Sequence, residues 1–200
     1  MCGFLFTKNV EKKDFSIALD LMEHRGPDDT GIKKIYEFIL GHKRLSILDL
    51  DKRSSQPFKA SDNKTHIIFN GEIYNFKELK KRFNLKTRTT SDTEVLVELY
   101  LKIGEKVLDH LNGMFAFVIF NTETKDTFIA RDRLGIKPLY YYEKGNKAIF
   151  SSEISPVLNL ISNLEYDLIG IRQYIKVRTF FRGHTIYKNI KIFPAGYYMK

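Results

Sequence analysis

The sequence predicts an α+β fold rich in strand, and three observations carry that expectation. Short apolar runs such as Gly3–Thr7, Ile67–Phe69 and Met114–Phe120 have the length and the β-branched or aromatic content of buried strands. Segments with helical spacing of apolar residues fall before and between them, at Phe15–Met22, after Asn75 and over Val95–Tyr100. The 200 residues are 43% apolar and 14% aromatic, enough for one domain, or one and a fraction, with a sizeable core. Two sheets packed face to face with helices outside satisfy this pattern, and so do other α+β arrangements.

In chain order, Gly3–Thr7 reads as a buried strand that carries the N-terminus into the fold. A short amphipathic helix over Phe15–Met22 stops at His24-Arg25-Gly26-Pro27-Asp28-Asp29, where Gly-Pro breaks it and the Asp pair favours a turn. Strands are expected around Ile32–Tyr36 and from Phe38 to His42, followed by the apolar segment Arg44–Asp49. Ile67-Ile68-Phe69 is a strand running into Asn70-Gly71-Glu72, a turn signature. Asn75 is placed to cap the next helix, with Glu78 completing a capping box, and Ser91 or Asp92 to cap the one after. Beyond Leu111-Asn112-Gly113 two hairpins are expected, Met114–Phe120 with Thr127–Ala130 and Leu139–Tyr142 with Ala148–Phe150. A helix then spans Glu153–Leu160, with Pro156 placing its start late, and another lies near Leu168–Ile175. The chain has no internal repeat and no low-complexity linker.

Composition excludes several classes. The single cysteine allows no internal disulfide and suits a reducing, cytoplasmic compartment. No apolar run is long enough for a signal peptide or a membrane span. The net charge of +9 invites a nucleic-acid reading, but the 33 basic residues are interspersed with 24 acidic ones and no recognition motif accompanies them. Their densest cluster, Lys77–Arg82, reads as the solvated face of a helix. Five scattered histidines and one cysteine show no metal-ligand spacing.

Candidate chemistry starts at Cys2. Removal of Met1 would leave a thiol with an ordinary pKa of about 8.5 beside an α-amine at about 8. An amine so matched can take the thiol's proton, which is the N-terminal nucleophile arrangement. Buried cysteines are also often plain small hydrophobes. Arg44 heads an apolar stretch, where a guanidinium can grip a carboxylate bidentately or stay an ordinary surface arginine. At Asn70-Gly71 a side-chain amide and a backbone N–H can converge on one oxygen as an oxyanion hole. The same dipeptide is also a common hairpin turn. Glu72 and Asp92 are carboxylates suited to binding an ammonium, or to capping and solvation. Together these residues describe a pocket for an amino acid, with a cation for its carboxylate, two anions for its ammonium, and a thiol and oxyanion hole for a side-chain amide.

The chain resembles the glutaminase domain of class II glutamine amidotransferases, specifically the asparagine synthetase branch. The matching strings are MCG at 1–3, HRGPDD at 24–29, GHKRLSILDL at 41–50, QPF at 56–58, FNGEIYN at 69–75, SDTEVL at 91–96, LNGMFAF at 111–117, ARDRLGIKPLYYY at 130–142 and SSEI at 151–154. They run in the family's order over most of residues 1–160. Phosphosugar and phosphoribosyl amidotransferases share the start, the HRGPD-like turn and an NG pair, whereas RLSI, NGEIYN and GIKPLYY favour the asparagine synthetase branch.

The resemblance implies a four-layer αββα sandwich of the N-terminal nucleophile hydrolase type. It implies Cys2 as nucleophile with its own amine as base, and Asn70 with the Gly71 N–H as oxyanion hole. Arg44 and the backbone near Ile47 would hold the glutamine α-carboxylate, and Glu72 and Asp92 its α-ammonium. Arg25 and Gly26-Pro27 would lie on a loop near the nucleophile, with His24 supporting it. Asp132-Arg133 and the string after them read as sheet architecture or a surface meeting another domain. The expected reaction is hydrolysis of L-glutamine, with ammonia passed to an ATP-dependent amidation such as aspartate to asparagine. Other acceptors, or a non-catalytic glutamine-binding module, are the alternatives. Residues 1–160 form the glutaminase domain in this reading. Residues 161–200, ending at FPAGYYMK, close the domain and resemble the connection toward a synthetase domain. No Ser-Gly-Gly-x-Asp-Ser loop is present, so ATP and magnesium belong to that absent domain and none is expected here. The implied partners are L-glutamine and the synthetase domain, with a homodimer compatible and neither nucleic acid nor membrane involved.

Overall fold

The computed structural model describes residues 1–181 and 183–200. β1 (Gly3–Lys8) buries Phe4 and Phe6 on one face and Leu5 on the other, so it reads as a continuous apolar run without alternation. α1 (Lys12–Asp20) begins a turn earlier than its apolar spacing suggests, and a single 3₁₀ turn at Glu23–Arg25 replaces its expected end. β2 (Asp29–Ile35) and β3 (Phe38–Arg44) form a hairpin through Tyr36, which adopts φ 53° at the turn. The stretch after Arg44 is irregular, and β4 (Phe58–Lys59) is a two-residue strand.

β5 (Thr65–Ile73) runs straight through Asn70 and Gly71, which corrects the expected turn there. All nine of its residues pair with β6, from Thr65↔Asn121 to Ile73↔Gly113. That ladder outweighs the local turn preference of Asn-Gly. α2 (Phe76–Arg82) does expose its basic face, but the capping box at Asn75 does not form. The Asn75 amide instead donates to the His110 carbonyl at 2.9 Å and accepts from the Asn112 N–H at 3.1 Å. α3 (Asp92–Ile103) is capped by Ser91, whose hydroxyl accepts from the Thr93 N–H at 3.1 Å.

After α4 (Val107–His110) come the two expected hairpins. They are β6 (Gly113–Asn121) with β7 (Thr127–Arg131), and β8 (Tyr140–Lys144) with β9 (Lys147–Ser151). α5 (Ile154–Leu160) starts ahead of Pro156, earlier than expected. Proline is tolerated there because first-turn N–H groups have no intrahelical partner. α6 (Leu168–Val177) is capped by the Asp167 carboxylate, and β10 (Ile190–Ile192) and β11 (Tyr198–Met199) add one edge strand to each sheet.

The strands form two antiparallel sheets, ordered β10-β8-β9-β1-β3-β2 and β11-β7-β6-β5-β4. The period-2 alternation of side chains sorts the core into layers. Phe4, Phe6 and Leu40 of the first sheet meet Ile68, Val118 and Ile129 of the second between the sheets. Leu5 and Ile39 face the other way onto Phe15 and Leu19 of α1 and Val157 of α5. Phe69, Phe117 and Phe128 face outward onto Val95, Leu96 and Leu99 of α3. The result is the four-layer αββα sandwich. No helix among the described residues is long and apolar enough to cross a membrane. At one end of the sandwich the start of β1, the end of β3 and the second half of β5 come together.

Candidate active site

A cleft of about 150 Å³ opens at that end, and Cys2, Arg44, Ile47, Asn70, Gly71, Glu72 and Asp92 all line it. Residues spread over ninety positions of sequence thus share one cleft. Cys2 enters from the head of β1. Its thiol lies 3.6 Å from the Leu45 carbonyl and 3.4 Å from the Leu45 N–H, against the chain leaving β3. Burial pushes the thiol above its ordinary value, while the Leu45 N–H and the positive charges of the Met1 amine and Arg44 pull it back. The Cys2 carbonyl accepts from Arg25 Nε at 2.9 Å, and Arg25 in turn reaches the Glu153 carboxylate at 2.9 Å. His24 meets the same carboxylate at 2.9 Å, so it supports the loop.

The second half of β5 supplies the opposite wall. Phe115 commits both its backbone groups to Asp132, so Gly71, directly opposite Phe115, turns its own N–H away from β6. Three N–H groups therefore leave that edge of β5 at every second residue. Phe69 N–H donates to Gln56 Oε1 at 2.6 Å and Ile73 N–H to the Asp92 carboxylate at 2.9 Å. β4 pairs only with His66 and Ile67, so no strand covers the Gly71 N–H between them. Only glycine fits here, since a Cβ would come within 2.3 Å of the Met114 carbonyl oxygen. The neighbouring Asn70 side chain is 1% exposed, and its amide nitrogen has no hydrogen-bond partner among the described residues. Two donors from adjacent residues are thus uncommitted where β5 lines the cleft.

The charged residues divide by sign. Arg44 is buried, and its guanidinium donates to the Asp49 and Asp51 carbonyls, which fixes the plane of the group while leaving further N–H donors for a ligand. Glu72 is exposed at the rim and Asp92 is 4% exposed beneath it. Burial, aided by the Glu72 charge, raises Asp92 to about 6 against the hydrogen bonds from Ile73 and Thr93. A cation placed between the two carboxylates would relieve both effects. Ile47 is 70% exposed at the mouth.

Sequence reasoning passed over two residues that the structure brings to the cleft. Gln56, from the QPF string, ties the Phe69 N–H to the Thr93 hydroxyl at 3.4 Å and so braces β5 against α3. Lys137, from the GIKPLYYY string read as architecture, is 4% exposed and lines the cleft. Asp132 of that string is architectural: its carboxylate accepts from the N–H groups of Phe115, Leu134, Ile136 and Lys137. Among the described residues no three metal-ligating side chains cluster.

Against known proteins, the family model of the glutamine amidotransferase domain matches residues 1–200. Asparagine synthetase [glutamine-hydrolyzing] 3 of Bacillus subtilis is 38% identical over 79% of this chain and 27% of its own length. Asparagine synthetase B [glutamine-hydrolyzing] of Escherichia coli is 35% identical over 96% of this chain and 31% of its own. The chain thus spans about a third or less of these relatives. Among solved structures, the glutamine phosphoribosylpyrophosphate amidotransferase of B. subtilis superposes with a TM-score of 0.68 at 21% identity, over 80% of this chain and 43% of that one. That likeness is one of fold.

Proposed function

Because the chain belongs to the glutamine amidotransferase domain family, we propose that it hydrolyses the side-chain amide of L-glutamine through a thioester on Cys2. The observation that carries this reading is the pair of uncommitted donors, the Gly71 N–H and the Asn70 amide, in the cleft that holds the thiol. Arg44 holds the substrate α-carboxylate with the backbone near Ile47, and Glu72 and Asp92 hold its α-ammonium. That three-point grip fixes which end of the amino acid meets Cys2.

With Met1 removed, the Cys2 amine takes the thiol proton and the sulfur attacks the amide carbon. The carbonyl π electrons move to oxygen, where Asn70 and Gly71 stabilise the charge. The carbon–nitrogen bond then breaks, and the Cys2 ammonium returns its proton to the leaving ammonia. Water hydrolyses the thioester to glutamate. The ammonia serves an ATP-dependent amidation in a synthetase domain beyond residue 200, with aspartate as acceptor and ATP with magnesium bound there. Residues 1–160 are the glutaminase proper in this reading, and residues 161–200 complete it toward that domain.

The experiment is glutamate release from glutamine by protein whose N-terminal mass shows Met1 removed, with Cys2→Ala alongside. Release that vanishes in the variant is expected. Release that persists in Cys2→Ala, or its absence in processed wild type joined to its synthetase half, overturns the reading.

A further inference from the structure

Lys137 is the charged residue of the cleft that the mechanism leaves unused. It follows Gly135-Ile136 in a tight turn that Asp132 clamps by accepting from the Leu134, Ile136 and Lys137 N–H groups at 3.1, 2.9 and 2.9 Å. Arg131 holds the Lys137 carbonyl from the other side at 2.7 Å. With its backbone fixed at both ends, the side chain extends into the cleft. There Nζ has one close partner, the Met1 sulfur at 3.2 Å, and no carboxylate within ion-pairing distance among the described residues. Removal of Met1 would take away that partner and leave the ammonium in the cleft with Cys2 and its freed α-amine.

We propose that Lys137 is a positioning residue of the Cys2 centre, whose ammonium stabilises the thiolate that attacks glutamine. The inference rests on the proposed glutaminase chemistry for its purpose, though not for its measurement. The charged groups acting on Lys137 are Arg25, Cys2, Glu72 and Asp132; besides Lys137 itself, those acting on the Cys2 thiol are the N-terminal amine, Arg44 and Asp92. Burial, and after it Arg25, lower the lysine's pKa from its ordinary value, while Cys2, Glu72 and Asp132 oppose that shift and favour the charged form. A fixed cation favours deprotonation of both partners in the proton transfer. The thiol becomes an anion more readily and the α-amine stays a free base to lower pH. Both effects move the reaction's acid limb downward in pH.

The single cysteine makes the test clean, because thiol alkylation reports on Cys2 alone. Iodoacetamide rates are measured against pH for Met1-processed wild type, Lys137→Met, Lys137→Arg and the surface control Lys80→Met. Lys137→Met is expected to raise the apparent thiol pKa by about one unit, which is about tenfold slower alkylation at pH 7. Lys137→Arg is expected to restore most of it, and Lys80→Met to match wild type. If Lys137→Met does not fold, Lys137→Gln carries the same expectation. An unchanged alkylation profile in a folded, uncharged variant overturns the proposal. Glutamate release is followed in parallel. A shifted alkylation profile in protein that hydrolyses no glutamine would overturn the glutaminase reading and leave the role of Lys137 standing.

Discussion

The Ile73 N–H donates to the Asp92 carboxylate at 2.9 Å, tying the end of β5 to the first turn of α3. This bond buries a carboxylate directly under Glu72 in the cleft wall, and its cost is visible in the pKa. Asp92 sits at about 6 in the fold against an ordinary 3.8. Because the folded protein holds that proton more tightly than the unfolded chain, Asp92 contributes stability at low pH that is lost as pH rises from about 4 to about 6. Asp92→Asn keeps an acceptor for Ile73 and removes the buried charge. It should therefore stabilise the protein at pH 7, by about 3 kcal/mol at most, and lose that advantage at pH 4. Thermal melts of both proteins at the two pH values check this. The same variant should raise the KM for glutamine, and the wild-type KM should climb below pH 6 as Asp92 takes up its proton.

Asn70 offers a cleaner test of catalysis. Its side chain is buried and its amide nitrogen bonds nothing in the fold, so truncation removes no structural hydrogen bond made by that nitrogen. Asn70→Ala should lower kcat for glutamate release by on the order of a hundredfold or more. Lys80→Ala, on α2 outside the cleft, should leave it unchanged. Equal rates for these two variants would remove Asn70 from the oxyanion hole.

How far the sequence speaks for the site depends on the kind of signal each residue carries. Cys2, Arg44, Glu72 and Asp92 are chemically conspicuous, and the cleft gathers all four. Asn70-Gly71 is conspicuous for the wrong reason. The dipeptide signals a turn locally, but the nine-residue pairing of β5 with β6 keeps it in a strand. What makes the Gly71 N–H available is that β4 begins only at Phe58, opposite Ile67, and no local pattern encodes where a neighbouring strand starts. Asn75 fails as a cap because its amide reaches His110 and Asn112, thirty-five or more residues away. Lys137 is hidden by its type, since lysines are nearly always exposed. The layered core was legible as apolar runs, although the assignment of faces needed both sheets in place.

Asp132 holds the turn that delivers Lys137. Its carboxylate is 1% exposed and accepts from four backbone N–H groups across β6 and the turn after β7. Asp132→Ala strands those donors, and at about 1 kcal/mol or more for each unsatisfied group the loss should reach about 4 kcal/mol. Asp132→Asn keeps one acceptor oxygen and should lose less. Urea unfolding of the two variants gives the ranking, and equal stability of Asp132→Ala and wild type would refute the clamp.

Glu153 stands one step behind Cys2, the proposed nucleophile. It accepts from Arg25 at 2.9 Å, and Arg25 holds the Cys2 carbonyl at 2.9 Å. Glu153 makes no contact with the thiol in this arrangement, so its loss should act on the aim of Cys2 and leave the grip on substrate intact. Small misplacements of a reacting group cost rate steeply. Glu153→Ala should therefore reduce kcat for glutamate release by about tenfold with KM little changed, because Arg44, Glu72 and Asp92 are untouched. Glu153→Gln retains an acceptor for Arg25 and should recover much of the rate, whereas a general loss of folding would depress both variants alike. Steady-state kinetics on wild type and the two variants distinguish these outcomes, and a rise in KM without a fall in kcat would place Glu153 in substrate binding instead.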